Sequence, residues 1–486
     1  MTKNDVSLKI NGLDFRQDVE PLIKEFFPGL MHDGKVEISI SAGEHAFDIA
    51  VCIRKNPDED ILCDGIKDET VDFSSENDPK IRHRDYRNQL LRGLYRILSH
   101  LTGQELPWGI LTGVRPTKLV YERIERGEAA PWRFLEQNYY CSHDKSVLAS
   151  LIAATEYRLL EDMDYKNGYS LYVGIPFCPS ICNYCTFGSH PIKNFQDCVE
   201  PYIEALEKEI SYSATYFHDI RLKTVYIGGG TPTAISAGQL ARVIDCITGH
   251  FDMSDVREFT VEAGRPDSID RDKLRMLKSR NIGRISINPQ TFVQRTLDLI
   301  GREHTAEQVV AAFEMAREEG FDSINMDLIA GLTGESAADF MVTLENVSRL
   351  APDSVTVHTL ARKRAARITM NPELYEGYES RDTDKMLDAA ARQLKEDGYA
   401  PYYLYRQKNM TGNLENIGYS KPGKECLYNI LIMEEKHPII ACGAGASSKF
   451  VREGQGRFGR VENVKNVREY IARIDEMIAR KRDYKL

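Results

Sequence analysis

No stretch of this 486-residue chain approaches the ~20 consecutive apolar residues of a membrane-spanning helix. The opening residues, MTKNDVSLKI, lack the apolar core of a secretion signal. Neither membrane insertion nor export is expected. Excess positive charge is also missing. The 63 Lys and Arg stand against 73 Asp and Glu, a net charge of −10, so nothing favours non-specific nucleic-acid binding. There is no internal repeat and no low-complexity tract. Ten cysteines are present, but Cys52, Cys63, Cys141, Cys198, Cys246, Cys426 and Cys442 are scattered. That spacing is no disulfide framework and fits a reducing, cytoplasmic setting. What remains is an ordinary globular composition, 42% hydrophobic and 28% charged, in a chain long enough for roughly two to three domains.

The other three cysteines are clustered. In GIPFCPSICNYCTFG, Cys178, Cys182 and Cys185 follow the spacing C-x-x-x-C-x-x-C. Three thiolates can hold three irons of a 4Fe-4S cubane and leave the fourth iron without a protein ligand. A zinc knuckle or a set of buried thiols is the alternative; zinc needs a fourth Cys or His, and His190 lies five residues downstream. The spacing and its aromatic flanks resemble the radical S-adenosylmethionine (SAM) superfamily. The resemblance implies that the open iron chelates SAM and that an electron from the cluster cleaves it to a deoxyadenosyl radical.

Along the chain, VEISISAG and FDIAVCIR alternate as half-buried strands of a hairpin. The charged stretch that follows, from Lys55 to Lys80, reads as a loop. Residues 84–103 carry leucines and tyrosines at helical spacing, and Pro116 in WGILTGVRPTKLV reads as a helix start. From about residue 168 the rhythm becomes strand, loop, helix. Strands are expected at Leu171–Ile175, Thr224–Ile227, Phe259–Glu262, Arg284–Asn288, Ser323–Leu328 and Ser354–His358. Six such units imply parallel pairing. The fold class expected is α/β: a partial (β/α)6 radical SAM barrel over 166–380. An N-terminal α/β domain covers 1–165, and a C-terminal α+β extension covers 381–486. In the extension, GNLENIGYSKPGKECLYNILIMEE reads as loop-rich, ACGAGASSKF lets backbone approach a ligand, and Val467–Lys481 reads as one solvated packing helix.

Barrel chemistry sits at the C-terminal ends of the strands, and the candidate residues fall there. The cysteine loop follows the first strand and Gly228, Gly229, Gly230 and Thr231 follow the second. Glu262 ends the third, Gln290 the fourth, Asp327 the fifth and His358 the sixth. Glycines without side chains let amides reach a ligand; an ordinary βα turn is the plainer account. Arg302 could supply a charge-assisted bond to a carboxylate. Glu262 could equally be a cap, and Asp327 an Asx turn. Arg362, Lys363, Arg364 and Arg367 crowd one segment, either as a solvated charge run or as a clamp for a substrate with several carboxylates.

LYVGIPFCPSICNYCTF, VYIGGGTPT, FTVEAG, GRISINPQTF and NMDLIAGL together resemble the oxygen-independent coproporphyrinogen III oxidase family. The N-terminal region and the C-terminal tail are similar to its HemZ branch. The resemblance implies cluster ligation by Cys178, Cys182 and Cys185, with Tyr172 beside the reacting groups. It implies a SAM site lined by Tyr184, Gly229, Gly230, Thr231, Glu262, Gln290, Arg302, Asp327 and Ala361. It further implies oxidative decarboxylation of coproporphyrinogen III to protoporphyrinogen IX, with Arg362, Arg364 and Arg367 on the tetrapyrrole substrate and an electron donor such as flavodoxin or ferredoxin. Two departures stand out. The oxidase branch has a further cysteine where this chain has Phe187, and the haem-chaperone branch has a His-Asn and Tyr-Trp motif that ECLYN does not match. A haem-binding delivery protein, with His358 or an exposed cysteine on the iron, and radical SAM chemistry on another tetrapyrrole are the alternatives.

Overall fold

The computed structural model describes residues 6–27, 35–54, 60–75, 78–113, 115–186, 188–361, 366–370, 382–407, 414–451 and 458–484. These form two compact units, Met1–Leu151 with Arg406–Leu414, and Ile152–Tyr405 with Glu415–Leu486.

In the first unit, strands β1 (Val6–Gly12), β2 (Lys35–Ala42), β3 (Ala46–Arg54) and β4 (Leu62–Thr70) lie in that order in one sheet. β1 and β2 are parallel and the other pairs antiparallel. β3 alternates as its sequence does, burying Phe47, Ile49, Val51 and Ile53. The helix Pro79–Thr102 buries Leu90, Leu94 and Leu98; it opens on the Asp78 cap and closes on Gly103 at φ +68°. The charged stretch read as a loop contains β4. Its residues are mostly exposed, so pairing to β3 rather than its own hydrophobicity makes it a strand. That register sets Cys63 opposite Cys52, and the two are disulfide-bonded. Two of the scattered cysteines are therefore paired, which their separation in sequence does not reveal, and the other eight are free.

The second unit is built on one open sheet. Its middle consists of β5 (Gly168–Ile175), then, after the two-residue strands β6 (Phe177–Cys178) and β7 (His190–Pro191), β8 (Arg221–Gly229), β9 (Glu258–Gly264), β10 (Arg284–Ile287), β11 (Ile324–Ala330) and β12 (Ser354–Thr359). These six long strands are neighbours in chain order and all parallel. They are near-continuous buried runs, as parallel strands covered on both faces must be. The intervening helices start on capping boxes, Ser236 with Gln239, Thr305 with Gln308 and Ser336 with Asp339.

The C-terminal segment extends the sheet at both edges. β13 (Ala400–Tyr405) and β14 (Asn416–Ser420) continue it antiparallel beyond β12. β15 (Ile439–Cys442) pairs parallel with β5, followed outward by β16 (Ser447–Val451) and β17 (Phe458–Glu462). The stretch expected to be loop-rich thus holds β14 and the helix Leu427–Glu434. The terminal helix is two, Val467–Ala472 and Ile474–Arg482. It is not simply solvated, because Lys481 is fully buried against Glu209.

Candidate cofactor site

The cysteine loop and the glycine turn are tied together by backbone. The amide of Gly230 donates to the carbonyl of Ile175 at 2.8 Å and that of Thr231 to Phe177 at 2.7 Å. Gly230 has to be a glycine here, because a Cβ would stand 2.6 Å from the Phe177 carbonyl oxygen; Gly229 sits at φ +110°. Next to them the Thr231 hydroxyl lies 3.4 Å from Cys178 Sγ. Asn183, between the second and third cysteines, donates from its backbone to Ile300 at 2.8 Å and from its side chain to Leu299 at 3.0 Å. The loop is thereby fastened to the segment that leads into Arg302. Cys178 and Cys182 are buried and Cys185 is partly exposed.

Among the described residues, no three His, Cys, Asp or Glu side chains converge as ligands of one metal ion. His190 packs against Phe195 with ring centroids 4.6 Å apart and the planes tilted by 53°, and burial lowers its pKa. A zinc knuckle needs four ligands converging on one ion. A cubane does not, since each thiolate meets its own iron.

Around the cysteines stand the other candidates. Tyr184 packs against Ile300, Ile329, Leu332 and Leu360. Burial drives its phenol up, while the Arg302 guanidinium bonded to it works in the opposite direction. Arg302 is itself buried; Nη1 donates to the Asn288 carbonyl at 2.6 Å, but its Nε has no partner. Gln290 lies beyond β10 rather than in it, at φ +66°, bridged to Leu328. Its amide donates to the Asp327 carbonyl at 2.9 Å, and its buried side-chain oxygen has no partner. A non-glycine residue held at positive φ with an orphaned polar atom fits a ligand-facing position. The orphaned Nε of Arg302, whose guanidinium feels the charge of Cys182, and the orphaned Gln290 oxygen suit a cluster carrying a zwitterionic ligand.

Glu262 and Asp327 lie within β9 and β11, not at their tips. Burial lifts Glu262 to about 7, against the Tyr226 hydroxyl that bonds it and with Asp327 adding to the rise. Burial also works to raise Asp327, but His358, Asn325 and Thr356 hold it below its ordinary value. Asn325 Nδ2 donates to Asp327 at 2.7 Å, and His358 Nδ1 meets the Tyr405 hydroxyl at 3.1 Å. Tyr172 stacks on Tyr226 and on Tyr428 with centroids 6.3 Å apart in each case, and Tyr226 stacks on Tyr428 at 4.5 Å. Gly228 is packed against Tyr226 and Glu262.

Ala361 follows β12 as a half-buried bridge residue. Of the basic cluster, Arg367 is exposed at the start of Arg367–Met370; Arg362 and Arg364 lie outside the described residues, as does Phe187. The sequence reading missed Tyr226, Tyr428 and Arg265. Arg265 follows Glu262 at the end of β9, where the strand-end rule could have found it. Tyr428 comes from a distant helix, and nothing in its local sequence signals the site.

Known proteins agree with this architecture. The Radical SAM superfamily profile matches residues 172–347. The oxygen-independent coproporphyrinogen-III oxidase-like protein HemZ of Bacillus subtilis is 39% identical over 427 residues, 86% of this chain and 85% of that protein. Heme chaperone HemW of the same organism is 38% identical over 192 residues, 39% of this chain and 50% of its own length. The solved structure of coproporphyrinogen III oxidase (HemN) from Escherichia coli, described as a radical SAM enzyme, superimposes with a TM-score of 0.53. It shares 24% identity and covers 66% of this chain and 72% of that one, which makes it a likeness of fold. No helix among the described residues is long and apolar enough to cross a membrane. With its cysteine loop, glycine turn and six parallel strands, and with a relative matched nearly end to end, this chain belongs to the oxygen-independent coproporphyrinogen III oxidase-like family of radical SAM enzymes, whose cofactors are a 4Fe-4S cluster and SAM.

Proposed function

We propose that this protein carries out the oxygen-independent oxidative decarboxylation of a tetrapyrrole propionate, with coproporphyrinogen III as substrate and protoporphyrinogen IX as product. When bound, the cluster and SAM supply an oxidant strong enough to remove hydrogen from the β-carbon of a propionate. Everything else is positioning by the chain. Cys178, Cys182 and Cys185 would hold the cluster. The free Nε of Arg302 and the orphaned oxygen of Gln290 would receive the carboxylate and amine ends of SAM. Asp327, held ionised by its partners, would accept ribose hydroxyls. The stacked Tyr172, Tyr226 and Tyr428 would exclude water beneath the reacting groups. An electron donor of the flavodoxin or ferredoxin type would supply the electron that cleaves SAM, and a one-electron acceptor would take the electron released with carbon dioxide as each propionate becomes a vinyl group.

The observation that carries the cofactor assignment is Arg302, buried and bonded to Tyr184 beside the cysteines with a donor to spare. The substrate rests on the name of the B. subtilis relative. An anaerobic assay with reconstituted protein, SAM, reductant and coproporphyrinogen III tests both. Protoporphyrinogen and 5′-deoxyadenosine are expected from wild type and neither from Cys182→Ala; porphyrin product without SAM consumption would refute the mechanism. The HemW relative supports a second reading, haem binding for delivery. It predicts tight haem binding and no porphyrinogen product in the same assay.

A further inference from the structure

One charged side chain beside the cysteines is not used by that reading. Arg265, at the end of β9, is 3% exposed. Its Nε and Nη2 donate to the two oxygens of Asp267 at 2.9 and 2.7 Å. Its Nη1 reaches the cysteine loop, donating to Ser180 Oγ at 2.8 Å, to the Ser180 carbonyl at 3.2 Å and to Cys182 Sγ at 3.9 Å. Both sides of the guanidinium are therefore engaged within the chain, the fork on Asp267 and the remaining nitrogen on the loop. Arg302 differs, keeping an unpartnered Nε. Arg265 is thus poorly placed to take a ligand carboxylate and well placed to act on the sulfur of Cys182.

We propose that Arg265 is a positioning residue that sets the reduction potential of the cluster, its guanidinium stabilising the reduced form through Cys182. The proposal rests on the reading that the three cysteines hold a 4Fe-4S cluster. A cluster gains one negative charge when reduced. A buried cation and a hydrogen bond at one of its thiolates favour that state and raise the potential. Asp267 offsets part of the effect, so the pair acts as a graded control with two opposite handles.

The test is an anaerobic redox titration of reconstituted protein, following the electron paramagnetic resonance signal of the reduced cluster. Arg265→Gln should lower the midpoint so that, at the wild-type midpoint, the ratio of reduced to oxidised cluster falls at least tenfold, a 59 mV change for a one-electron couple. Arg265→Lys, which keeps the charge, should lower that ratio by less than about threefold on the same scale. Asp267→Asn should raise it. Ser180→Ala, which removes a loop contact without touching charge, should leave the midpoint in place. Arg265→Gln with an assembled cluster and the wild-type midpoint overturns the proposal, as does a Ser180→Ala shift as large as that of Arg265→Gln. If Arg265→Gln assembles no cluster, Asp267→Asn decides, and an unchanged or lowered midpoint there overturns it. Wild-type protein that gives no cubane spectrum would instead refute the cluster reading.

Discussion

The hydroxyl of Tyr226 donates to Oε1 of Glu262 at 2.5 Å. The two lie on neighbouring strands, β8 and β9, whose parallel pairing brings them together. Burial pushes Glu262 to about 7 and the tyrosine bond restrains that rise. If Glu262 meets a cationic part of SAM, affinity for SAM increases as pH rises through about 7, since only the carboxylate attracts a cation. Tyr226→Phe removes the restraint and moves that midpoint higher. Affinity at pH 7 should then fall about tenfold, or ~1.4 kcal/mol, the low end for a hydrogen bond to a charged group. Equilibrium SAM binding to reconstituted protein between pH 6 and 8.5 checks this; identical pH profiles for the two proteins would show that Glu262 does not face the ligand.

Gly230→Ala should break the site without harming the sheet. Its Cβ would press on the Phe177 carbonyl, the acceptor of the Thr231 amide. The crowding should cost about 1–3 kcal/mol and detach the glycine turn from the cysteine loop. Iron and sulfide content after reconstitution should drop well below wild type. Gly238→Ala, where nothing lies within 4 Å of the added carbon, should keep full content and serves as the matched control.

These two sites differ in how far the sequence exposed them. The six central strands are readable because each is a β-branched run between amphipathic helices, and the cysteines because their close C-x-x-x-C-x-x-C spacing stands out from the scattered ones. Gly230 follows from its motif. Tyr226 does not, because its role depends on register with β9, and register between parallel strands is settled by packing across the sheet. β4 is hidden for a related reason: LCDGIKDET carries little hydrophobic signal and becomes a strand by pairing with β3. The helix Leu427–Glu434 is fixed by Glu258, which accepts from the amides of Leu427 and Tyr428 at 2.8 and 3.1 Å. No local pattern near residue 427 announces a partner so far back in the chain.

Lys481 lies on a helix whose charged sequence suggests a solvated face, yet its side chain is fully buried. Lys481 and Glu209 are both fully buried and paired, and Glu209 also accepts from Tyr470 at 2.5 Å, the Gly443 amide at 2.7 Å and Asn463 at 2.7 Å. Lys481→Met leaves a buried carboxylate without its counter-charge and should destabilise the protein by about 3–5 kcal/mol. Adding Glu209→Gln removes the stranded charge and should recover part of that loss. Urea unfolding of the three proteins gives the values; equal stability of the single variant and wild type would mean that the pair contributes nothing.

Glu156 and Glu434 supply the last prediction, one of sign. Both carboxyls are fully buried and close enough for each to feel the other's charge. Burial, and then the charge of Glu434, raises Glu156 well above its ordinary 4.5. A carboxyl whose folded pKa exceeds its unfolded value binds more proton when folded, so its stabilisation is complete at acid pH below 4.5 and is lost as pH rises. The slope reaches about 1.4 kcal/mol per pH unit for one proton. Glu156→Gln keeps a hydrogen-bonding side chain and discards the proton. The variant should therefore gain stability relative to wild type steadily from pH 5 to pH 8, read as the difference in urea midpoints at each pH. A constant difference would mean that Glu156 is already ionised in the folded protein, with a counter-charge close enough to hold it so.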